Sequence, residues 1–118
     1  MSLHAEYVTG FSEGLGSFTY SRSGRQLALY YAVRAEPEVL AQIQAFFGGI
    51  GTIYRGAYLR VTRRDELPLI IEHFDAYPLR TKKKAAYEIW RRMVLAKQTF
   101  RAPDRDLLED LARRLSDA

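Results

Sequence analysis

The spacing of apolar positions changes several times along this chain, and each change marks an element. Leu40, Ile43 and Phe47 recur at helical spacing, as do Ala86, Trp90, Met93 and Val94, and later Leu107, Leu108, Leu111 and Leu115. Such stripes belong to helices that bury one side. Between them the period falls to two. Ser17-Phe18-Thr19-Tyr20-Ser21-Arg22 alternates polar residues with aromatic and β-branched ones, Ser23-Gly24-Arg25 supplies a turn, and Leu27 to Arg34 returns as a second strand. Glu36-Pro37-Glu38 opens the next helix, with proline and acids suited to a first turn, and Gly48 fits its C-terminal cap. The pattern then repeats. Thr52-Ile53-Tyr54 and Tyr58-Leu59-Arg60-Val61-Thr62-Arg63 predict a hairpin around Arg55-Gly56-Ala57. Asp65 is the expected N-cap of a helix through Leu69, Ile70 and Phe74, which Tyr77-Pro78 ends. Thr81 caps a long helix from Lys82 to Lys97, and Pro103-Asp104 opens a last one.

The stretch from Glu6 to Gly16 is ambiguous. Its three glycines favour a loop, since glycine costs a helix about 1 kcal/mol relative to alanine. Gly10 and Gly14, however, stand four apart, which on a helix is one face where another backbone can approach closely. Read as a helix, it completes the order α-β-β-α-β-β-α-α-α, an α+β chain with weak twofold character. Nothing of low complexity divides it, so residues 1–118 read as one domain, with a core over about 5–98 and a C-terminal helix over 103–117.

Bulk properties narrow the function only slightly. The 118 residues suffice for one hydrophobic core and not for two. No apolar run approaches the roughly 18 residues of a membrane helix, and Met1-Ser2-Leu3-His4 lacks the regions of a secretory signal. An intracellular location, in cytoplasm or nucleoid, is expected, with an organelle left open. Cysteine is absent, which removes disulfides and thiolate metal sites. The 18 basic and 14 acidic side chains leave a net charge of +4, a mild pointer to a polyanionic partner.

Candidate chemistry is sparse. His4 and His73 have no metal-ligand spacing, and no phosphate loop, dinucleotide fingerprint or nucleophile elbow is present. Lys82-Lys83-Lys84 is unusual because it falls in a first helical turn, where the macrodipole disfavours cations by roughly 0.3–1 kcal/mol each. Either it is a solvated charge run, or phosphates offset that penalty. Arg22, Arg34, Arg55, Arg60, Arg63 and Arg64 lie on or beside the two hairpins, interleaved with Tyr20, Tyr30, Tyr54 and Tyr58. A twisted antiparallel sheet bearing such residues suits a DNA major groove, although register alone decides which face each takes.

Three segments resemble the LAGLIDADG homing endonucleases. Val8-Thr9-Gly10-Phe11-Ser12-Glu13-Gly14-Leu15-Gly16-Ser17-Phe18 resembles the name-giving motif. Phe46-Phe47-Gly48-Gly49-Ile50-Gly51 resembles the FGxG segment, and Tyr77-Pro78-Leu79-Arg80-Thr81-Lys82-Lys83, continuing to Tyr87 and Trp90, resembles the YPLxTKK stretch. Together they span about residues 5 to 98 in the family's order, which implies a homing-endonuclease-like fold with a mixed or antiparallel DNA-binding sheet and additional C-terminal helices. In that family the motif helix packs against its copy in a second domain, a role for Gly10 and Gly14. A single motif implies a homodimer on a near-palindromic double-stranded site. DNA contacts are expected from Arg22, Arg34, Arg55, Arg60, Arg63, Lys82 and Lys83, and Lys82 matches the family's basic active-site residue.

The catalytic position departs from the family. Its metal-binding acid stands immediately before the last motif glycine, and here that residue is Leu15, which offers no oxygen to a hard cation. Glu13 matches the earlier acid and remains a candidate catalytic residue, although about 200° of helix separates it from Leu15. Val33 is expected where relatives place a polar pocket residue. The resemblance therefore implies a DNA-binding homodimer with impaired or absent cleavage, holding no metal and needing no cofactor to bind. The alternatives are a Mg2+-dependent site-specific endonuclease using Glu13 or substitute ligands, and an RNA-binding maturase.

Overall fold

The computed structural model describes residues 3–99 and 104–118. Met1 and Ser2, and Pro103, which is expected to open the last helix, lie outside the described residues. The elements are α1 (Ala5–Leu15), β1 (Gly16–Ser23), β2 (Gln26–Arg34), α2 (Pro37–Phe46), β3 (Thr52–Tyr54), β4 (Tyr58–Val61), α3 (Leu67–Ala76), α4 (Lys82–Thr99) and α5 (Arg105–Asp117). The glycine-rich stretch is thus a helix, and the hairpin followed by a helix occurs twice.

The four strands form one antiparallel sheet in the order β1-β2-β4-β3. Alternate residues point to opposite faces of a strand, so the apolar set Phe18, Leu27, Leu29, Tyr31, Val33, Leu59 and Val61 shares one side. It joins Val8, Leu40, Ile43, Ile70, Phe74, Trp90, Met93 and Leu111 from the helices in one core cluster. Phe18 sits at its centre, with the rings of Phe74, Tyr87, Trp90 and Tyr31 all within 5.1–5.4 Å between centroids. These tilted and edge-on geometries suit the quadrupoles of the rings. The Trp90 indole donates to the carbonyl of Thr19 at 3.1 Å, so its polar atom is buried with a partner. The helices therefore cover one face of the sheet and leave the other open.

Local chemistry explains the junctions. After α2, Gly48 adopts φ +84°, the Gly48 amide donates to the Ala45 carbonyl and the Gly49 amide to that of Gln44. This is a Schellman ending, and it satisfies carbonyls the helix leaves free. Between α1 and β1 the chain turns so tightly that a Cβ on Gly16 would stand 2.8 Å from the Ser12 carbonyl oxygen. Thr81 caps α4 as expected, accepting from the Lys83 amide at 3.3 Å.

Two helix expectations are corrected. Asp65 does not cap α3. The helix starts at Leu67 with Pro68 in its first turn, and the Glu66 and Leu67 amides bond back to the Arg63 carbonyl. Proline lacks one of the amides a cap would serve, and Asp65 pairs with Arg63 instead, at 3.3 Å. In α5, Leu107 is 38% exposed, and the buried stripe is Leu108, Leu111, Ala112 and Leu115. That set follows the i, i+3, i+4, i+7 rule, which leaves Leu107 on the shoulder. Among the described residues no helix is long and apolar enough to cross a membrane.

Candidate nucleic-acid interface and the end of the first helix

Register fixes what the open face carries. Ser17 pairs with Ala32, Thr19 with Tyr30, Ser21 with Ala28 and Ser23 with Gln26. Across the next two ladders Ala32 pairs with Arg60, Arg34 with Tyr58, Thr52 with Arg60 and Tyr54 with Tyr58. The face therefore holds short hydroxyl and alanine side chains, Gln26, three tyrosines and two arginines, and no Asp or Glu at any of these positions. Tyr54 and Tyr58 stack at 5.3 Å, and the Arg60 guanidinium lies 3.7 Å from the centre of the Tyr30 ring. A cavity of about 300 Å³ opens here, lined by Leu15, Ser17, Tyr30, Arg34, Tyr58 and Arg60 among others.

The basic residues expected together are divided by the fold. Arg34 and Arg60 stand on the open face, Arg55 lies exposed in the β3–β4 turn at φ 54°, and Arg63 follows the end of β4. Arg22 is placed differently. Its alternation puts it with Phe18 and Tyr20 on the helix-covered side, where both guanidinium ends bond Glu109 of α5 at 2.9 and 3.0 Å. Glu109 accordingly lies below the usual carboxylate range, chiefly through the bonds from Arg22. Tyr20 turns the same way, its hydroxyl 3.1 Å from that of Ser116. Arg64 donates to the carbonyls of Lys97 and Gln98 near the C-terminus of α4, where cations are favoured. Val33, expected in a polar pocket, is 0% exposed and its side chain belongs to the core; Ala32 and Arg34 hold the neighbouring open-face positions.

At the end of α1 the structure gives Glu13 a task the sequence does not announce. Its carboxylate accepts from the Arg80 amide at 2.7 Å, the Thr81 hydroxyl at 2.6 Å and the Thr81 amide at 3.3 Å. Partial burial alone would raise its pKa, but the Thr81 and Arg80 bonds and the nearby Lys83 charge outweigh it and hold Glu13 below the usual range. An anion at the start of α4 offsets the unfavourable placement of Lys82-Lys83-Lys84 against the helix dipole. The Lys83 ammonium in turn donates to the Gly16 carbonyl at 2.5 Å. Lys83, rather than Lys82, is thus the lysine that reaches the end of α1. Lys82 lines a neighbouring cavity with Lys83, Ser17 and Ser116.

The family resemblance implies a divalent metal at this helix end, and the donor set does not suit one. Leu15 is 48% exposed and has no oxygen in its side chain. Glu13 is held by α4, and the Gly16 carbonyl faces an ammonium. Among the described residues no three His, Asp or Glu side chains converge as a metal site would require.

The rest of α1 is seated by polar contacts and bare on its outer side. Ser12 meets the buried Tyr31 hydroxyl at 2.6 Å. Thr9 donates to the Tyr77 carbonyl at 2.9 Å and lies 3.0 Å from Nε2 of His73. Because the Thr9 proton is committed to that carbonyl, Nε2 of His73 carries the hydrogen it shares with Thr9. Burial pushes His73 down to about 4. His73, which has no metal-ligand spacing in the sequence, is thus a buried packing residue here. On the opposite side of α1, added Cβ atoms at Gly10 and Gly14 would meet nothing within 4 Å, and Tyr7 is 46% exposed.

Comparison with known proteins agrees with this architecture. Residues 8–94 match the family model described as LAGLIDADG endonuclease. The chain is 30% identical over 104 residues to an uncharacterized 50.9 kDa protein in ND4 intron 1 of Podospora anserina, covering 75% of this chain but 23% of that protein. The crystal structure of the homing endonuclease I-TnaI superposes with a TM-score of 0.86 at 23% identity, covering 98% of this chain and 89% of that one. I-SmaMI, bound to an uncleaved DNA target in the presence of calcium ions, superposes with a TM-score of 0.85 at 20% identity, covering 99% of this chain and 46% of that one.

Proposed function

The chain belongs to the LAGLIDADG endonuclease family, and from that membership we propose that it binds double-stranded DNA as a homodimer and is impaired or inactive in cutting it. The observation that carries the reading is the open sheet face, which presents Arg34, Arg60 and three tyrosines without a carboxylate, beside an α1 that ends in Leu15. A twisted sheet of this kind fits a major groove, where arginine and short polar side chains meet base edges. Lys82 and Lys83 at the flank supply phosphate contacts, as do Arg55 and Arg63 from the loops. The DNA held by the structurally similar I-SmaMI supports the same partner.

The bare side of α1 supports pairing with a second copy. Gly10 and Gly14 permit close backbone approach, and Tyr7, Phe11 and Leu15 frame them with apolar surface. A twofold pair of chains calls for a near-palindromic site. Hydrolysis in the family uses a divalent ion to activate water and stabilise the leaving oxygen. Here Leu15 removes the ligand, while Glu13 is engaged in holding α4 to α1 and is a positioning residue for that helix.

The test is a selection from a randomised duplex library, with bound and cut DNA sequenced in parallel in magnesium and in manganese. Enrichment of a near-palindrome without cutting supports the reading and makes Leu15→Asp the variant in which to look for recovered metal binding. Metal-dependent cutting by the unmodified chain overturns the inactivity, and Glu13→Gln then becomes the first variant to assay.

A further inference from the structure

Arg60 springs from the middle of β4, between Ala32 of β2 and Thr52 of β3. Both neighbours are short, so its side chain has room to lie across the sheet. Its Cζ stacks 3.7 Å from the centre of the Tyr30 ring, and Nη2 donates to the Ser21 hydroxyl of β1 at 3.4 Å. The guanidinium of this β4 residue is therefore held over the sheet by contacts from β1 and β2. Arg22, Arg63 and Arg91 each bond a carboxylate, whereas among the described residues none pairs with Arg60, and its Nε and Nη1 make no hydrogen bond. Stacking on an aromatic face restrains the side chain and leaves its charge available, so less freedom is lost when a ligand binds.

A restrained arginine with free donors on a groove-facing floor matches the paired acceptors O6 and N7 of guanine. Resting on the DNA-binding reading, we infer that Arg60 sets base specificity in this chain, contacting a guanine in each half of the target, and that Tyr30 is its positioning residue. Arg34, at the exposed end of β2, and Arg55, in a turn, have no such support and suit phosphates instead.

The experiment compares the full chain with Arg60→Ala, Arg60→Lys and Tyr30→Leu, each checked for folding by thermal melting. Affinity is measured on the selected duplex and on every single-base variant of it, over a range of salt. The expected result for Arg60→Ala is a loss of roughly 10- to 100-fold discrimination at one mirrored pair of G·C positions, with other positions and the salt slope kept. Arg60→Lys fails to restore it, because an ammonium lacks the forked donors. Tyr30→Leu loosens the same position and no other. Uniform weakening across all sequences with a shallower salt slope identifies a phosphate contact and overturns the assignment. An unchanged base preference in Arg60→Ala overturns it as well. If the unmodified chain enriches no duplex at all, the DNA-binding reading fails and takes this inference with it.

Discussion

Lowering the pH removes stability from this fold through His73, and the amount can be worked out from its surroundings. The ring is buried between Phe46, Phe47 and Phe74, which meet it edge-on at 4.7–5.4 Å, and Tyr77, which stacks on it at 5.5 Å. Its Nε2 hydrogen is spent on Thr9, and no carboxylate among the described residues bonds the ring. Protonation would place a charge among aromatic rings with no counter-ion, and burial depresses the folded pKa from 6.5 to about 4. The folded state then binds fewer protons than the unfolded one. The contribution is complete above pH 6.5, shrinks as pH falls, and is gone once pH drops below about 4. A tenfold change in proton affinity is about 1.4 kcal/mol, so the gap sets a ceiling of about 3 kcal/mol. Urea unfolding of the chain and of His73→Gln at pH 7.5, 6, 5 and 4.5 isolates the term, because the carboxylates titrate equally in both proteins. The unmodified chain should lose up to about 2.5 kcal/mol more than the variant across that range. Parallel pH profiles would falsify the buried, uncharged histidine.

Other outcomes test the remaining assignments. Glu13→Ala removes the acceptor for two amides and a hydroxyl where α1 meets α4, and should lower stability by about 1–2 kcal/mol in denaturant melts. A variant as stable as the parent would show that this contact does not anchor α4. Replacing Lys82 and Lys83 together by Ala should weaken binding to every duplex alike and flatten its salt dependence. An unchanged salt slope would return those lysines to a solvated face. If α1 pairs with its copy as proposed, the unmodified chain should sediment as a dimer and Gly10→Leu as a monomer; a Gly10→Leu dimer would place the interface elsewhere.

Much of the architecture is written in periodicity. Leu40 and Ile43 specify the inward side of α2, and Trp90, Met93 and Val94 specify how α4 meets the core, because helical spacing depends on neighbours within a few residues. The ambiguous glycine-rich segment was legible only through its resemblance to a motif, since propensity opposes a helix there. Which face a strand residue takes was not legible. Arg22 and Arg60 read alike in sequence, yet one is bound to Glu109 beneath the sheet and the other lies over Tyr30 above it. A shift of one residue in register would turn either of them to the other face, and for Arg60 that register includes the pairing of β4 with β2, which joins positions as far apart as Tyr31 and Val61.

The sequence by itself determined the order of elements, the buried sides of the helices, and the leucine that replaces an acid at the end of α1. Only the tertiary structure decided that Glu13 holds the start of α4, that Thr9 shares a proton with His73, and that Lys83 reaches the carbonyl of Gly16. Each of these contacts joins residues more than sixty positions apart. No local pattern encodes such a meeting, because it exists only once the packed core has brought the two segments together.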